Sequence, residues 1–203
     1  MTWPVGGLAL LNRLFQRHTL PFESSLRANF STKFPPKFSK KPENKSLEHS
    51  SEYVVFCRGS ALRNGTPQCK AGYACYFPLH ENWNVAKPLY NTSRKTNTRA
   101  DLSAVIEAVK IINNADPLKD KTLRIYTRNQ VIIRSFKEWI INWKKNDWRN
   151  SQRRPVKNKD LLSEFLELKG QRPINWEHAK LEGDSKSLYY LNKLSNLAKK
   201  AAE

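Results

Sequence analysis

The chain of 203 residues carries 36 Lys and Arg against 18 Asp and Glu, a formal net charge of +18 with a sequence pI near 10.0. An excess of that size goes beyond what solubility requires and points to a polyanionic partner. The 39% of hydrophobic residues suffices for one modest core; no apolar run reaches the roughly 18 residues of a membrane helix, and three cysteines without CxxC spacing (Cys57, Cys69, Cys75) with four scattered histidines argue against a disulfide framework or a zinc site.

Residues 1–30 contain Arg13, Arg17 and Arg27, and the first acidic residue is Glu23. Leu8, Leu10, Leu11, Leu14 and Phe15 can share a helix face opposite Arg13 and Arg17, and serines follow. This is the composition of a mitochondrial presequence, the alternative being a basic tail that happens to carry leucines. Residues 31–51, with three prolines and five lysines, read as a flexible basic linker. Residues 52–203 read as the folded domain. Within it, EYVVFCRGS is a β-branched and aromatic run ending at Gly59, a strand; Asn64-Gly65 marks a turn; KAGYACYF, 70–77, is a second strand, and the segment near Asn84–Tyr90 a third. From Ala100 the period becomes helical through Leu102, Val105, Ile106, Val109 and Ile112, with Asp101 in the first turn. Thr122–Thr127 is a strand, Asn129–Trp143 is helical in one or two pieces, Asp160 opens a helix to Leu168, Pro173–His178 is a short strand, and Asp184–Ala201 is a closing helix. The order β-β-β-α-β-α-α-β-α predicts a mixed α/β fold, a five-stranded sheet flanked by helices.

The segment Trp139–Lys159 interleaves Trp139, Trp143 and Trp148 with Lys144, Lys145, Arg149, Arg153, Arg154, Lys157 and Lys159. Cations neutralise phosphates and flat rings pack on sugars and bases, so the pattern suits nucleic acid. Trp139 and Trp143, four apart, fit a buried helix stripe equally well.

The element order, with TNTRAD at 96–101, LRIYTRN at 123–129, WIINWKKNDWRNS at 139–151 and VKNKD at 156–160, resembles the cellular type 1 ribonuclease H domain over roughly residues 53–200. The resemblance implies that fold, and cleavage of the RNA strand of an RNA–DNA hybrid by two divalent cations held on four carboxylates. The positions matching those carboxylates are Arg58, Asp101, Arg128 and Asn192, and Glu182 stands where the family has a mobile-loop histidine. The resemblance also implies a DNA-phosphate pocket at Arg94, Thr96 and Asn158, and minor-groove contacts from Asn64, Asn97 and Thr98. It further implies packing on the DNA strand by Trp139 and Trp143 beside Ser151, with Lys144, Lys145 and Arg149 on the basic arm. Read without it, Thr96 and Asn97 fit an N-cap and a turn, and both tryptophans fit a core.

Two guanidinium groups at carboxylate positions place positive charge where cations should sit. The sequence-based expectation is therefore a catalytically inactive protein with no bound metal or other cofactor. It would bind structured RNA or an RNA–DNA hybrid in the mitochondrial matrix or, alternatively, the cytoplasm, with no membrane partner. A mitochondrial ribosome subunit, contacting other ribonucleoprotein subunits, fits the size and basicity. The competing expectations are a divergent Mg-dependent nuclease built on Asp101, and a protein-interaction module of an RNA-silencing particle.

Overall fold

The computed structural model describes residues 52–90, 94–179 and 185–203. The expected presequence and linker, and Glu182, lie outside the described residues. The strands are β1 (Glu52–Leu62), β2 (Lys70–Tyr76), β3 (Val85–Pro88), β4 (Thr122–Thr127) and β5 (Ile174–His178). They form one sheet in the order β3-β2-β1-β4-β5. The first three are an antiparallel meander, while β4 runs parallel to both β1 and β5. The helices are α1 (Asn97–Ala115), α2 (Gln130–Arg134) continuing through a π-helical stretch (Ser135–Trp139) into α3 (Ile140–Lys145), then α4 (Lys159–Lys169) and α5 (Ser185–Ala202). The mixed α/β fold and five-stranded sheet expected from the sequence are those observed.

α1 and α4 cover one face of the sheet and α5 the other. The main core joins Val55, Cys57, Cys75 and Ile125 of the sheet to Leu102, Val105, Val109 and Ile112 of α1 and to Leu162 and Phe165 of α4. α1 rides close to the sheet because Ala100, Ala104 and Ala108, one helical turn apart, are all fully buried and present no bulk. The thiols of Cys57 and Cys75 both donate to the Ala104 carbonyl, at 3.8 and 3.0 Å. On the other face, Phe56, Leu191, Leu194 and Ala198 form a smaller cluster, in which Phe56 stacks on Tyr126 and Tyr76 on Tyr190.

Two boundaries differ from expectation. β1 does not stop at Gly59 but continues to Leu62, paired with β2 as far as Leu62–Lys70. Gly59 is a close-approach glycine: a Cβ there would lie 2.2 Å from the backbone nitrogen of Asp101. The residue that opens α4 is Asn158, in the left-handed region at φ 59°, and Asp160 sits inside the first turn.

Candidate nucleic-acid interface

β4 ends at Thr127, whereas its parallel neighbour β1 runs on, so a gap opens beside the middle of β1. α1 enters this gap. Thr96 caps it, its hydroxyl accepting from the Arg99 amide at 3.2 Å. One turn further on, the close packing over Gly59 buries Asp101 to 2% exposure. Three donors meet this carboxylate: the Gly59 amide at 2.6 Å, the Asn129 side-chain amide at 2.9 Å and, as an ion pair at 3.6 Å, Arg58. Burial pushes the Asp101 carboxyl above its ordinary value, and Arg58, Asn129 and Gly59 each pull it back in part. Arg58 lies within β1, opposite Ala74, rather than past the end of the strand. Arg128, the residue after β4, donates to Asn192 of α5 at 3.2 Å.

A cleft of about 450 Å³ lies at the start of α1, lined by Gly65, Thr66, Pro67, Cys69, Arg94, Lys95 and Thr96. The buried Cys69 thiol donates to the Lys95 carbonyl at 3.2 Å and ties the β1–β2 turn to the segment entering α1. Asn64 is exposed in that turn, between Arg63 at φ 51° and Gly65 at φ 86°. Asn97 is exposed, and its side-chain oxygen accepts from the Ala61 amide at 2.7 Å; Thr98 is half-buried. Asn158 does not line this cleft. It accepts from Arg99 at 3.3 Å, and Arg99 also grips Asp160 through two bonds of 3.0 and 2.6 Å. Those bonds hold the Asp160 carboxyl below its usual range.

A second groove, about 560 Å³, is lined by Trp139, Asn142, Trp143, Asn146, Arg149, Asn150 and Ser151. The π-helical stretch sets the tryptophans: Ser135 donates back to the Val131 carbonyl at 2.7 Å, and Trp139 and Trp143 then lie with ring centroids 5.6 Å apart. Both are half-buried. The guanidinium of Arg134 covers one face of Trp139, 4.8 Å from its centroid. Past Lys145 the chain turns through Asp147 and Trp148, both at positive φ, into a loop closed by an Arg149–Pro155 bridge and by the Asn150 side chain, which accepts from the Gln152 and Arg154 amides. Lys159 lies over Trp148 at 5.7 Å.

The structure thus gathers Trp139, Trp143, Arg149 and Ser151 into one groove and Arg94 and Thr96 into one cleft. Lys144 and Lys145 are exposed and line neither. Asn142, Asn146 and Asn150 were missed: they sit at the polar positions of the helix and loop, where an asparagine reads as a solvated residue. Asn129 and Arg99 were missed because their partners, Asp101 and Asn158, are 28 and 59 residues away in sequence.

The pair of divalent cations implied by the resemblance needs several hard anionic oxygens. The residues present do not fit that pair. Asp101 already meets three donors, Arg58 and Arg128 put fixed positive charge at two of the four positions, and Asn192 is neutral. Among the described residues no group of three or more His, Cys, Asp or Glu could hold a metal ion.

The sequence profile of the ribonuclease H family (RNase H) matches residues 50–186. The chain is 32% identical over 165 residues to a Ribonuclease H of Schizosaccharomyces pombe, covering 81% of this chain and 60% of that protein. It is 34% identical over 152 residues to the Ribonuclease HI of Haemophilus influenzae, covering 73% of this chain and 88% of that one. The chain therefore spans less than two thirds of the S. pombe relative. It also superposes on a foamy viral protease–reverse transcriptase in complex with an RNA/DNA hybrid, with a TM-score of 0.57 at 21% identity, over 83% of this chain and 22% of that chain. At that identity the likeness shows the fold.

These relatives overturn the expectation that the chain is not an enzyme, since the proteins it matches along most of its length are named as ribonucleases. That expectation ran from two side chains to a whole reaction. Arg58 and Arg128 constrain which ligands sit at two points, but they leave the buried Asp101 carboxylate, the cleft and the aromatic groove in place.

Proposed function

The chain belongs to the ribonuclease H family, and we propose that it binds RNA–DNA hybrids, with one strand packed along the Trp139–Trp143 groove and a backbone phosphate at the Arg94–Thr96 cleft. The observation that carries this reading is the groove itself. Two half-buried indole rings, a guanidinium and three asparagine amides line one concavity in a chain of charge +18. Rings supply stacking surface for sugars and bases, and amides and cations reach phosphates and ring edges. The foamy viral neighbour, which shares the fold and is bound to a hybrid, supports the choice of ligand. Asn97, Asn64 and Thr98 then face the minor groove, where the 2′-hydroxyl distinguishes RNA from DNA. Asn158 supports the phosphate site through Arg99. Lys144 and Lys145 act at longer range as phosphate neutralisers.

The test is fluorescence anisotropy with a labelled hybrid at several salt concentrations. Trp143→Ala is expected to lower affinity by roughly 10- to 100-fold, the loss of about 1–3 kcal/mol for a stacking contact. Replacing Lys144 and Lys145 together is expected to flatten the salt dependence. Unchanged affinity in Trp143→Ala, with the fold intact by circular dichroism, would defeat the reading. Hydrolysis of the RNA strand is followed in the same samples, and Asp101→Asn shows whether cleavage belongs to this cleft.

The basic, leucine-bearing residues 1–30 support a mitochondrial matrix setting, and the charge supports an RNA-rich assembly there, the ribosome being the simplest. Co-sedimentation of the endogenous protein with mitochondrial ribosomal subunits tests this setting; recovery wholly at the top of the gradient would count against it.

A further inference from the structure

We propose that Arg58 and Arg128 form a site for one phosphodiester phosphate of the bound nucleic acid, gripped by guanidinium groups without a divalent cation. The proposal rests on the hybrid-binding reading for the identity of the ligand and on separate residues for its geometry.

β1 and β4 are in parallel register, with Phe56 opposite Tyr126. Arg58 stands two residues on within β1, and Arg128 is the residue just past the end of β4. Neighbouring strands run about 4.8 Å apart, and Asp101 links the two positions: it pairs with Arg58 and accepts from Asn129, the residue next to Arg128. The rings of Phe56 and Tyr126, two residues before the arginines in the chain, stack with centroids 4.7 Å apart.

Neither guanidinium is satisfied within the described part of the fold. The Arg58 contact to Asp101, at 3.6 Å, is longer than a hydrogen bond. Asp101 gives its shorter bonds to Gly59 and Asn129. The Arg58 Nε is buried, with no acceptor among the described residues. An orphaned N–H on a charged group is costly unless a ligand meets it. Arg128 bonds to the neutral oxygen of Asn192 and has no carboxylate within ion-pair distance among the described residues. Two permanent cations therefore share one partly engaged carboxylate, and the excess is one positive charge. A phosphodiester carries one negative charge and two free oxygens, and the guanidinium fork matches such a pair of oxygens. Asp101 and Asn192 act as positioning residues that set the angle of each fork.

The experiment uses the full chain and two probes, a labelled RNA–DNA hybrid and dimethyl phosphate. Wild-type hybrid affinity is expected to be the same in EDTA as in magnesium. Replacing both arginines (Arg58→Met with Arg128→Met) is expected to lower hybrid affinity roughly tenfold and to reduce the salt slope by about one, the value for a single neutralised phosphate. Replacing both by lysine, which keeps the charge and loses the fork, is expected to restore the salt slope but not the affinity. Dimethyl phosphate is expected to shift the Arg58 and Arg128 Nε–H resonances in the wild type. An unaltered salt slope in the methionine pair, a strict need for magnesium, or no shift with dimethyl phosphate would each overturn the proposal. A shift with dimethyl phosphate in a protein that ignores the hybrid would keep the phosphate site and remove the hybrid-binding reading instead.

Discussion

Replacing Gly59 by alanine is the sharpest probe of how the fold builds its centre. A Cβ at this position would lie 2.2 Å from the Asp101 backbone nitrogen, 2.3 Å from the Ala100 carbonyl carbon and 2.6 Å from the Ala100 Cβ. Two of these are backbone atoms of α1, not flexible side-chain tips, so the helix must back away from the sheet. Overpacking of this kind costs about 1–3 kcal/mol. Retreat of α1 also stretches the 2.6 Å bond from the Gly59 amide to Asp101. A buried carboxylate losing such a donor costs about 1.5–3 kcal/mol more. The expected loss is therefore about 2.5–6 kcal/mol, a large share of the roughly 5–15 kcal/mol that holds a domain together. Urea denaturation measures it. Gly65→Ala is the comparator: nothing lies within 4 Å of its Cβ, but its φ of 86° strains an L residue, at about 1 kcal/mol. A Gly59→Ala loss no larger than the Gly65→Ala loss would refute the close-approach argument.

Arg172 is wholly buried, and its guanidinium donates to Asn113, to the Asp116 carboxylate and carbonyl, and to the Lys121 carbonyl. Arg172→Leu strands these acceptors and is expected to cost about 3–5 kcal/mol in denaturant unfolding; a loss under about 1 kcal/mol would show that the clamp is dispensable. Asp101 binds its proton more tightly folded than unfolded, because burial raises it from an ordinary value of 3.8. Its contribution to stability is full below that value and declines as pH rises toward the raised value. The stability of the wild type relative to Asp101→Asn should therefore fall with rising pH through that window, and a rising difference would reverse the assignment. Asn158, at φ 59°, should tolerate glycine with little loss, whereas Asn158→Ala should cost about 1 kcal/mol of stability. Equal melting temperatures for the two variants would show that the turn is unstrained.

Much of this architecture was legible in the sequence. The apolar spacing from Leu102 to Ile112 marked α1, and the runs at Tyr53–Phe56 and Thr122–Thr127, rich in β-branched and aromatic residues, marked the strands that meet as parallel neighbours. The end of β1 was misread at Gly59 because a glycine after an apolar run looks like a stop. Only a helix passing over it reveals a packing role. The tryptophan groove was half legible: the i,i+4 spacing put Trp139 and Trp143 on one side, but the π-helical stretch before them depends on Ser135 bonding back to Val131.

By itself the sequence determined the family and the order of elements. Net charge and aromatic-basic interleaving are additive properties of composition, and the element order follows from local periodicity. It also placed Arg58 and Arg128 at positions that match two of the family's carboxylates. Only the tertiary structure decided what surrounds them. The alanine stripe of α1 lets the helix descend onto Gly59, and that descent buries Asp101 between Gly59, Asn129 and Arg58. The parallel register of β1 and β4 runs up to Phe56 and Tyr126, two residues before each arginine. Those relations join residues tens of positions apart through close packing, and no local pattern encodes them.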